Sequence, residues 1–192
     1  MYWKSMGDLL TNPIVEITRA KREKNLLKTI SFLAFNWVLI AIGASVLLTS
    51  ASPVPQALIF IGVLSGGIVF SLFKGVLVRI VMTTLGGRGN YFEGLTSVVY
   101  LEFPISIAVL LTGLLSVTSI NGLVISLILS IVLFLIGIAT FYRSIKEFFS
   151  VDIITAWIGV SILIMGIVAA CYLTIFGFVV NDQSFIPWLS QY

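Results

Sequence analysis

The hydrophobic positions of this chain gather into five long runs, separated by short stretches rich in polar residues, glycine or proline. About 20 helical residues span the ~30 Å hydrocarbon core of a bilayer, and each run approaches or exceeds that length. The runs cover residues 30–48, 57–85, 95–117, 123–142 and 153–180. We therefore predict an all-α polytopic membrane protein, with five transmembrane helices bundled in a domain of residues 29–180.

The two flanks of this domain are polar. Residues 1–28 predict a cytoplasmic amphipathic segment, in which Asn12 is an N-cap and Pro13 the first helical residue. The helix after Pro13 is rich in basic residues. It can lie on the membrane with its basic side toward lipid headgroups, or serve only as a topology anchor, and both readings stay open. Residues 181–192 predict a polar tail outside the membrane.

The composition excludes the soluble alternatives. Hydrophobic residues make up 59% of the 192 residues, charged residues only 10%, and the mean hydropathy is +1.14. Because soluble domains carry roughly a quarter charged residues, this chain has too few polar groups to cover a water-facing surface. A disordered chain, a coiled coil and a free-standing nucleic-acid binder are excluded by the same values.

The distribution of lysine and arginine predicts the orientation. Six of the 11 basic residues precede the first span. Lys74 and Arg79 lie in the later half of the second span and Arg88 in the loop after it, whereas Arg143 and Lys146 lie between the fourth and fifth spans, so all 11 fall on one side. The positive-inside rule makes this side cytoplasmic. The N-terminus is then inside, the C-terminus outside, and the location the cell membrane, or an endomembrane if the source is eukaryotic.

The residues needed for common catalytic chemistry are missing. The chain has no histidine, a single cysteine and no phosphate-binding GxxxxGK[ST] sequence. All three aspartates lie outside the predicted spans, so no intramembrane aspartate pair can form. We expect no catalytic residue, no cofactor and no metal site, and therefore no enzyme.

Three charged residues fall within predicted spans: Lys74, Arg79 and Glu102. Such residues are costly in a bilayer and mark candidate sites. Arg79 and Glu102 each lie seven residues, about 10 Å, from the ends of the loop between their helices, so we expect them to pair. Lys74 lies deeper, where it snorkels or reaches a polar cavity. The pair either locks the hairpin or belongs to a site for a lipid headgroup or an ion.

Small residues follow one face of the second predicted span, as Gly62-x-x-x-Gly66 and as Gly67-x-x-x-Ser71-x-x-x-Gly75. This spacing allows a neighbouring helix backbone to approach closely. Packing within the bundle is favoured over homodimerisation. The expected partners are membrane lipids, with other membrane proteins or a second copy as further possibilities.

Two segments of the chain carry a family resemblance. Residues 85–93 read Leu-Gly-Gly-Arg-Gly-Asn-Tyr-Phe-Glu, so that Gly86, Gly87, Tyr91 and Glu93 are followed in the next span by Tyr100 and Pro104. Residues 148–152, Phe-Phe-Ser-Val-Asp, precede the last predicted span. With the proline-initiated helix at Asn12–Pro13, these features resemble the Yip family, the Ypt-interacting multispanning membrane proteins, over about residues 8–175.

This resemblance implies a five-helix bundle with a cytoplasmic N-terminus. In eukaryotic members it implies vesicle trafficking and contact with Rab-type GTPases. The present chain lacks the Asp-Leu-Tyr-Gly-Pro signature and the long N-terminal region of that branch. These differences argue against binding of a small GTPase and favour a prokaryotic, archaeal-type member.

Two function classes follow from these observations. The first is a non-enzymatic scaffold or trafficking-related membrane protein, from the resemblance and the missing catalytic residues. The alternative is a small-molecule or ion transporter or channel that uses Lys74, Arg79 and Glu102. Five spans do not divide into two equal inverted repeats, which argues against the alternative.

Overall fold

The computed structural model describes residues 2–49, 54–117 and 120–181, and within this part the protein is about 90% helical and contains no strand. Seven helices are formed: α1 Tyr2–Thr11, α2 Pro13–Glu23, α3 Leu26–Thr49, α4 Gln56–Thr84, α5 Tyr91–Ser116, α6 Ile120–Phe149 and α7 Ile153–Asn181. The predicted tail lies outside the described residues from position 182 onward. Residues 50–53 and 118–119, in two predicted turns, also lie outside them.

Four of these helices, α3 to α6, are long and apolar enough to cross a membrane. In α7 the apolar stretch within the described side chains is Ile153–Gly166. The all-α prediction is confirmed at this level, as a helical bundle compatible with a membrane. The fifth span and the orientation of the termini stay predictions.

Helix α5 begins at Tyr91, four residues before the predicted start, because Asn90 and Glu93 form a capping box. The Asn90 side chain accepts a hydrogen bond from the Phe92 amide at 2.9 Å, and the Glu93 carboxylate accepts one from the Asn90 amide at 3.0 Å. Helix α6 continues seven residues beyond Tyr142, to Phe149. Its last two turns bury Phe141, Ile145, Phe148 and Phe149, and this apolar face extends the helix through a charged stretch.

Helix α5 is the centre of the bundle. In the most apolar 18 residues of α5, half of the positions are buried, whereas in the corresponding parts of α4 and α6 only 11% are. Helix α5 packs against α3, α4 and α6. It approaches α3 closely where Gly43 and Gly113 meet, since a methyl group on either would overlap the backbone of the other helix. Three glycine and serine positions on α4, at 67, 71 and 75, face the bundle, whereas Gly62 and Gly66 face open space.

The N-terminal segment folds against one end of the bundle. Helix α2 packs on α6 and buries Glu16, Ile17 and Ala20. Pro13 is its first residue, as predicted, but the Asn12 side chain makes no capping hydrogen bond. The basic side chains of Arg19, Lys21, Lys24 and Lys28 contact protein groups, and among the described side chains of this segment only that of Arg22 is a basic group without such a contact.

Candidate functional site

The register between α4 and α5 is set by two glycines. Gly75 lies against Leu95, and Gly94 lies against the Gly75 carbonyl. With Gly75 level with Leu95, antiparallel counting places Glu102 level with Ile68. Arg79 is then 11 residues, about 16 Å, further along α4.

The predicted ion pair between Arg79 and Glu102 is therefore wrong. The two loop ends are not level, because α4 continues to Thr84 and passes the start of α5. Arg79 is exposed on the outer face of α4, and it forms no ion pair with any described residue.

Glu102 pairs with Lys74 instead. Side chains on a helix lean toward its N-terminus, so on these antiparallel helices Lys74 and Glu102 lean toward each other. The same carboxylate oxygen, Oε1, accepts a hydrogen bond from the Ser71 hydroxyl at 2.5 Å. The Trp37 indole in turn donates to Ser71 at 2.8 Å. The network thus links α3, α4 and α5.

The ammonium group of Lys74 also faces two aromatic rings. It lies 4.8 Å from the centroid of Phe70 and 5.9 Å from that of Trp37. Cation–π contacts of this kind strengthen when water is excluded. The Lys74 side chain is 16% exposed and that of Glu102 only 4%, so the ammonium group sits at the edge of the network and the carboxylate inside it.

Two oxygen atoms beside this pair have no hydrogen-bond partner among the described residues: Glu102 Oε2 and Asn36 Oδ1. The Asn36 amide donates to the Val99 carbonyl at 2.9 Å, one helical turn before Glu102. Pro104 is buried within α5 and has no backbone N–H, so the Tyr100 carbonyl loses its usual donor in the same region.

These polar groups lie close to the middle of their helices. Asn36 is the eleventh of 24 residues in α3, and Glu102 the twelfth of 26 in α5. Ser71 is the sixteenth of 29 in α4. We call Asn36, Trp37, Ser71, Lys74 and Glu102 the mid-span network. Hydrogen bonds and the ion pair join the last four, whereas Asn36 is bonded to α5 at the Val99 carbonyl. Sequence reasoning identified two of its charged members but missed Asn36 and Trp37, whose only signal was a polar atom within an apolar run.

The two segments that carry the family resemblance meet at one end of the bundle. The Arg88 amide donates to the Phe149 carbonyl at 2.9 Å, and Gly89 lies directly beneath the Phe149 ring. A methyl group on Gly87 would overlap the Met82 carbonyl and press on Phe149 and Val151, and Gly86 adopts a positive φ of 88°. Gly87 and Gly89 therefore allow the close packing of this loop, whereas Gly86 allows its backbone turn.

Three other residues of the resemblance, Tyr91, Glu93 and Tyr100, lie in the first half of α5, and Pro104 lies near its middle. Glu93 pairs with Lys24 at 3.0 Å, and Tyr91 donates to the Leu72 carbonyl at 3.3 Å. The ring of Tyr100 contacts that of Phe148. These contacts join α2, α4 and α6 to the start of α5.

A buried carboxylate that the sequence did not reveal, Glu16, organises the N-terminal helices. It is completely buried and accepts from Arg19 at 2.6 Å, from Lys28 at 2.8 Å and from the Tyr100 hydroxyl at 3.4 Å. The hydrogen bond to Asp8 and the charge of Glu16 raise the pKa of Arg19. A small cavity beside Lys28 and Tyr100 has room for about one water molecule.

The described residues contain no group of three or more His, Cys, Asp or Glu side chains that could hold a metal ion. What the mid-span network can do is neutralise charge and join three helices through hydrogen bonds. The unpartnered oxygens give it two additional acceptors, which a small hydrogen-bond donor could satisfy.

The fold and the site define an all-α protein whose four long apolar helices are compatible with a membrane bundle. No protein-family profile matches the chain, and no match was found among curated proteins or among solved structures. The resemblance to the Yip family therefore stays a prediction from the sequence.

Proposed function

We propose that this chain is a non-enzymatic integral membrane protein of the Yip-like type, with a role in membrane scaffolding, organisation or trafficking. The observation that carries this proposal is the pairing of Lys74 with Glu102 inside the bundle. A charge within a span is a functional candidate by default, but here it is neutralised by a partner on the next helix. The Ser71 and Trp37 bonds extend this joint to α3.

The end of the bundle where the N-terminal helices and the 86–90 loop pack supports the same role. Two helices and two loop segments are docked there by the Glu16 and Glu93 ion pairs and by the Phe149 contacts. These contacts fix the shape of the surface at this end, and a fixed shape favours the binding of a partner protein.

The test has two arms. The chain is extracted from its native membrane directly into nanodiscs, and native mass spectrometry is expected to detect a retained protein, either a second copy or another chain. The purified chain in liposomes is expected to show no ion or solute flux above that of empty liposomes. Flux without a retained protein would overturn the proposal.

A second candidate function, transport of a small solute or ion, is favoured by one observation. Glu102 Oε2 and Asn36 Oδ1 are buried near the middle of the helices without hydrogen-bond partners. Sites of secondary transporters lie at this depth. Arg79 no longer belongs to this candidate, since it lies about 16 Å away along α4.

Glu102→Gln distinguishes the two candidates in the liposome assay, because it removes the carboxylate charge and keeps the size of the side chain. Transport predicts flux in the wild type that Glu102→Gln abolishes and Arg79→Gln preserves. The scaffold proposal predicts no flux in all three proteins.

A further inference from the structure

The ten basic residues whose side chains the structure describes divide sharply into those with and those without a side-chain partner in the protein. Five have a carboxylate, carbonyl or hydroxyl partner: Arg19, Lys21, Lys24, Lys28 and Lys74. The side chains of five others form no hydrogen bond or ion pair with any described residue: Arg22, Arg79, Arg88, Arg143 and Lys146. The sorting shows which cations remain free to bind something else.

The acidic residues do not balance these free cations. Among the described acids, Asp8, Glu16, Glu23, Glu93 and Glu102 already belong to ion pairs. Asp152 caps the start of α7 through the Thr155 amide at 3.4 Å. Asp152 and Glu147 are thus the two described acids without an ion pair, and Glu147 lies one turn after Arg143. Among the described residues, the five free cations therefore outnumber the carboxylates that form no ion pair.

Two of the free cations lie where an exposed apolar helix face meets the polar end of the helix, which holds Thr83 on α4 and Glu147 on α6. Arg79 is exposed between Val76 and Ile80, both also exposed. Arg143 is exposed one turn after Ala139 and two turns after Leu135, which is 60% exposed. Arg79 is five residues from the end of α4 and Arg143 six from the end of α6, about 8 and 9 Å. The two guanidinium groups therefore stand at similar depths.

We propose that Arg79 and Arg143 form binding sites for the phosphate groups of anionic phospholipids. A guanidinium group offers a planar fork of donors that matches a phosphate, and it reaches the headgroup layer from a lipid-facing helix by snorkelling. The apolar residues beside each arginine suit acyl chains rather than the polar rim of a soluble protein partner. The proposal rests on the membrane location assumed in the proposed function, and on no partner protein.

Native mass spectrometry in nanodiscs of mixed phosphatidylglycerol and phosphatidylcholine tests this assignment. The wild type is expected to retain phosphatidylglycerol in preference. Arg79→Gln and Arg143→Gln are each expected to lower that preference about fivefold, as for the loss of one basic residue at an anionic surface. The Arg→Lys variants are expected to recover part of it, because they restore the charge without the fork.

Lys24→Gln is the matched control, since it removes the same charge from a cation already paired with Glu93. It is expected to change the preference by less than about twofold. An equal loss in Lys24→Gln would show diffuse charge attraction, and an unchanged preference in the arginine variants would show no site. Either result would overturn the proposal. Retention of a protein partner is scored in the separate nanodiscs extracted from the native membrane, so failure of the scaffold function is seen separately.

Discussion

At the scale of single residues, the partner of Glu102 decides how its charge is held. Lys74 and Ser71 both donate to Oε1, whereas Oε2 has no donor among the described residues. A buried pair contributes little net stability, but breaking it leaves a charge without compensation in a medium of low dielectric constant. The charge of Arg79 does not carry this cost, because its side chain is exposed and is not buried away from a partner.

The Lys74–Glu102 pair predicts a strong coupling in a double-mutant cycle. Lys74→Met and Glu102→Leu are each expected to lower the free energy of unfolding by about 2–4 kcal/mol, and the double variant to recover much of the loss. The measurement is denaturant unfolding in detergent micelles. The same cycle with Arg79→Leu is the control and should be additive. Coupling of Glu102 to Arg79, or none to Lys74, would contradict the structure.

Asp152 predicts a pH effect at the start of α7. The hydrogen bond of the Thr155 side chain, with further bonds from backbone amides, lowers the pKa of Asp152 below its ordinary value of 3.8. A lowered pKa means that its stabilising contribution is full above pH 3.8 and is lost as the pH falls through the folded-state pKa. The Thr155 amide resonance should titrate with a midpoint below 3.8, and this titration should vanish in Asp152→Asn. A midpoint at or above 3.8 would refute the cap.

At the scale of helices, the crossing of α3 and α5 depends on two glycines. Gly43 and Gly113 bring the backbones so close that a methyl group on Gly113 would overlap the Gly43 carbonyl. Helices in membranes gain their contact energy from such close packing, because lipid is as apolar as the side chains.

Gly113→Ala is therefore expected to push α3 and α5 apart and to cost about 1–3 kcal/mol of unfolding free energy, measured in detergent. Gly62→Ala is the matched control on α4, where nothing lies within 4 Å of the added methyl group. Because alanine favours helix over glycine, this control should be neutral or stabilising by up to about 1 kcal/mol. Equal losses at both positions would mean that the crossing is not as close as described.

At the scale of the whole molecule, Glu16 holds the N-terminal helices on the bundle. Its partners come from α2, α3 and α5, so its loss affects three helices at once. Glu16→Gln leaves Lys28 without its close carboxylate partner. Trypsin cleavage after Arg22 and Lys24 is expected to accelerate on the order of tenfold, since the segment must open before a protease can bind it. Asp8→Asn, which removes a partner of Arg19 alone, should cause a smaller change. Equal protection of Glu16→Gln and the wild type would show that other contacts hold the segment.

The orientation of the whole chain is a separate prediction from the basic residues. With five spans and a cytoplasmic N-terminus, a C-terminal reporter active only outside the cytoplasm should report, and one that fluoresces only inside should stay dark. The opposite pattern would indicate an even number of spans.

Much of the helical architecture was readable from the sequence. The apolar runs gave the approximate positions of α3 to α6 because a spanning helix satisfies its backbone hydrogen bonds locally and needs only length and hydropathy. Helix ends were displaced where side chains decided them, as at the Asn90–Glu93 capping box and the buried aromatic end of α6. Helix α1 was not foreseen, because its ten residues are too short a stretch for a helical pattern to be distinguished.

The tertiary structure alone decided which residues meet. Loop length suggested Arg79 as the partner of Glu102, but the contact of Gly75 with Leu95 sets the register and brings Lys74 to Glu102 instead. The meeting of the Gly86–Asn90 loop with Phe149 and the burial of Glu16 likewise join positions far apart in the chain. The hydropathy of each residue can be read from the sequence, and it determined where the helices lie. The register and docking of the helices depend on how the shapes of facing surfaces fit together, and the order of residues along the chain does not show those shapes.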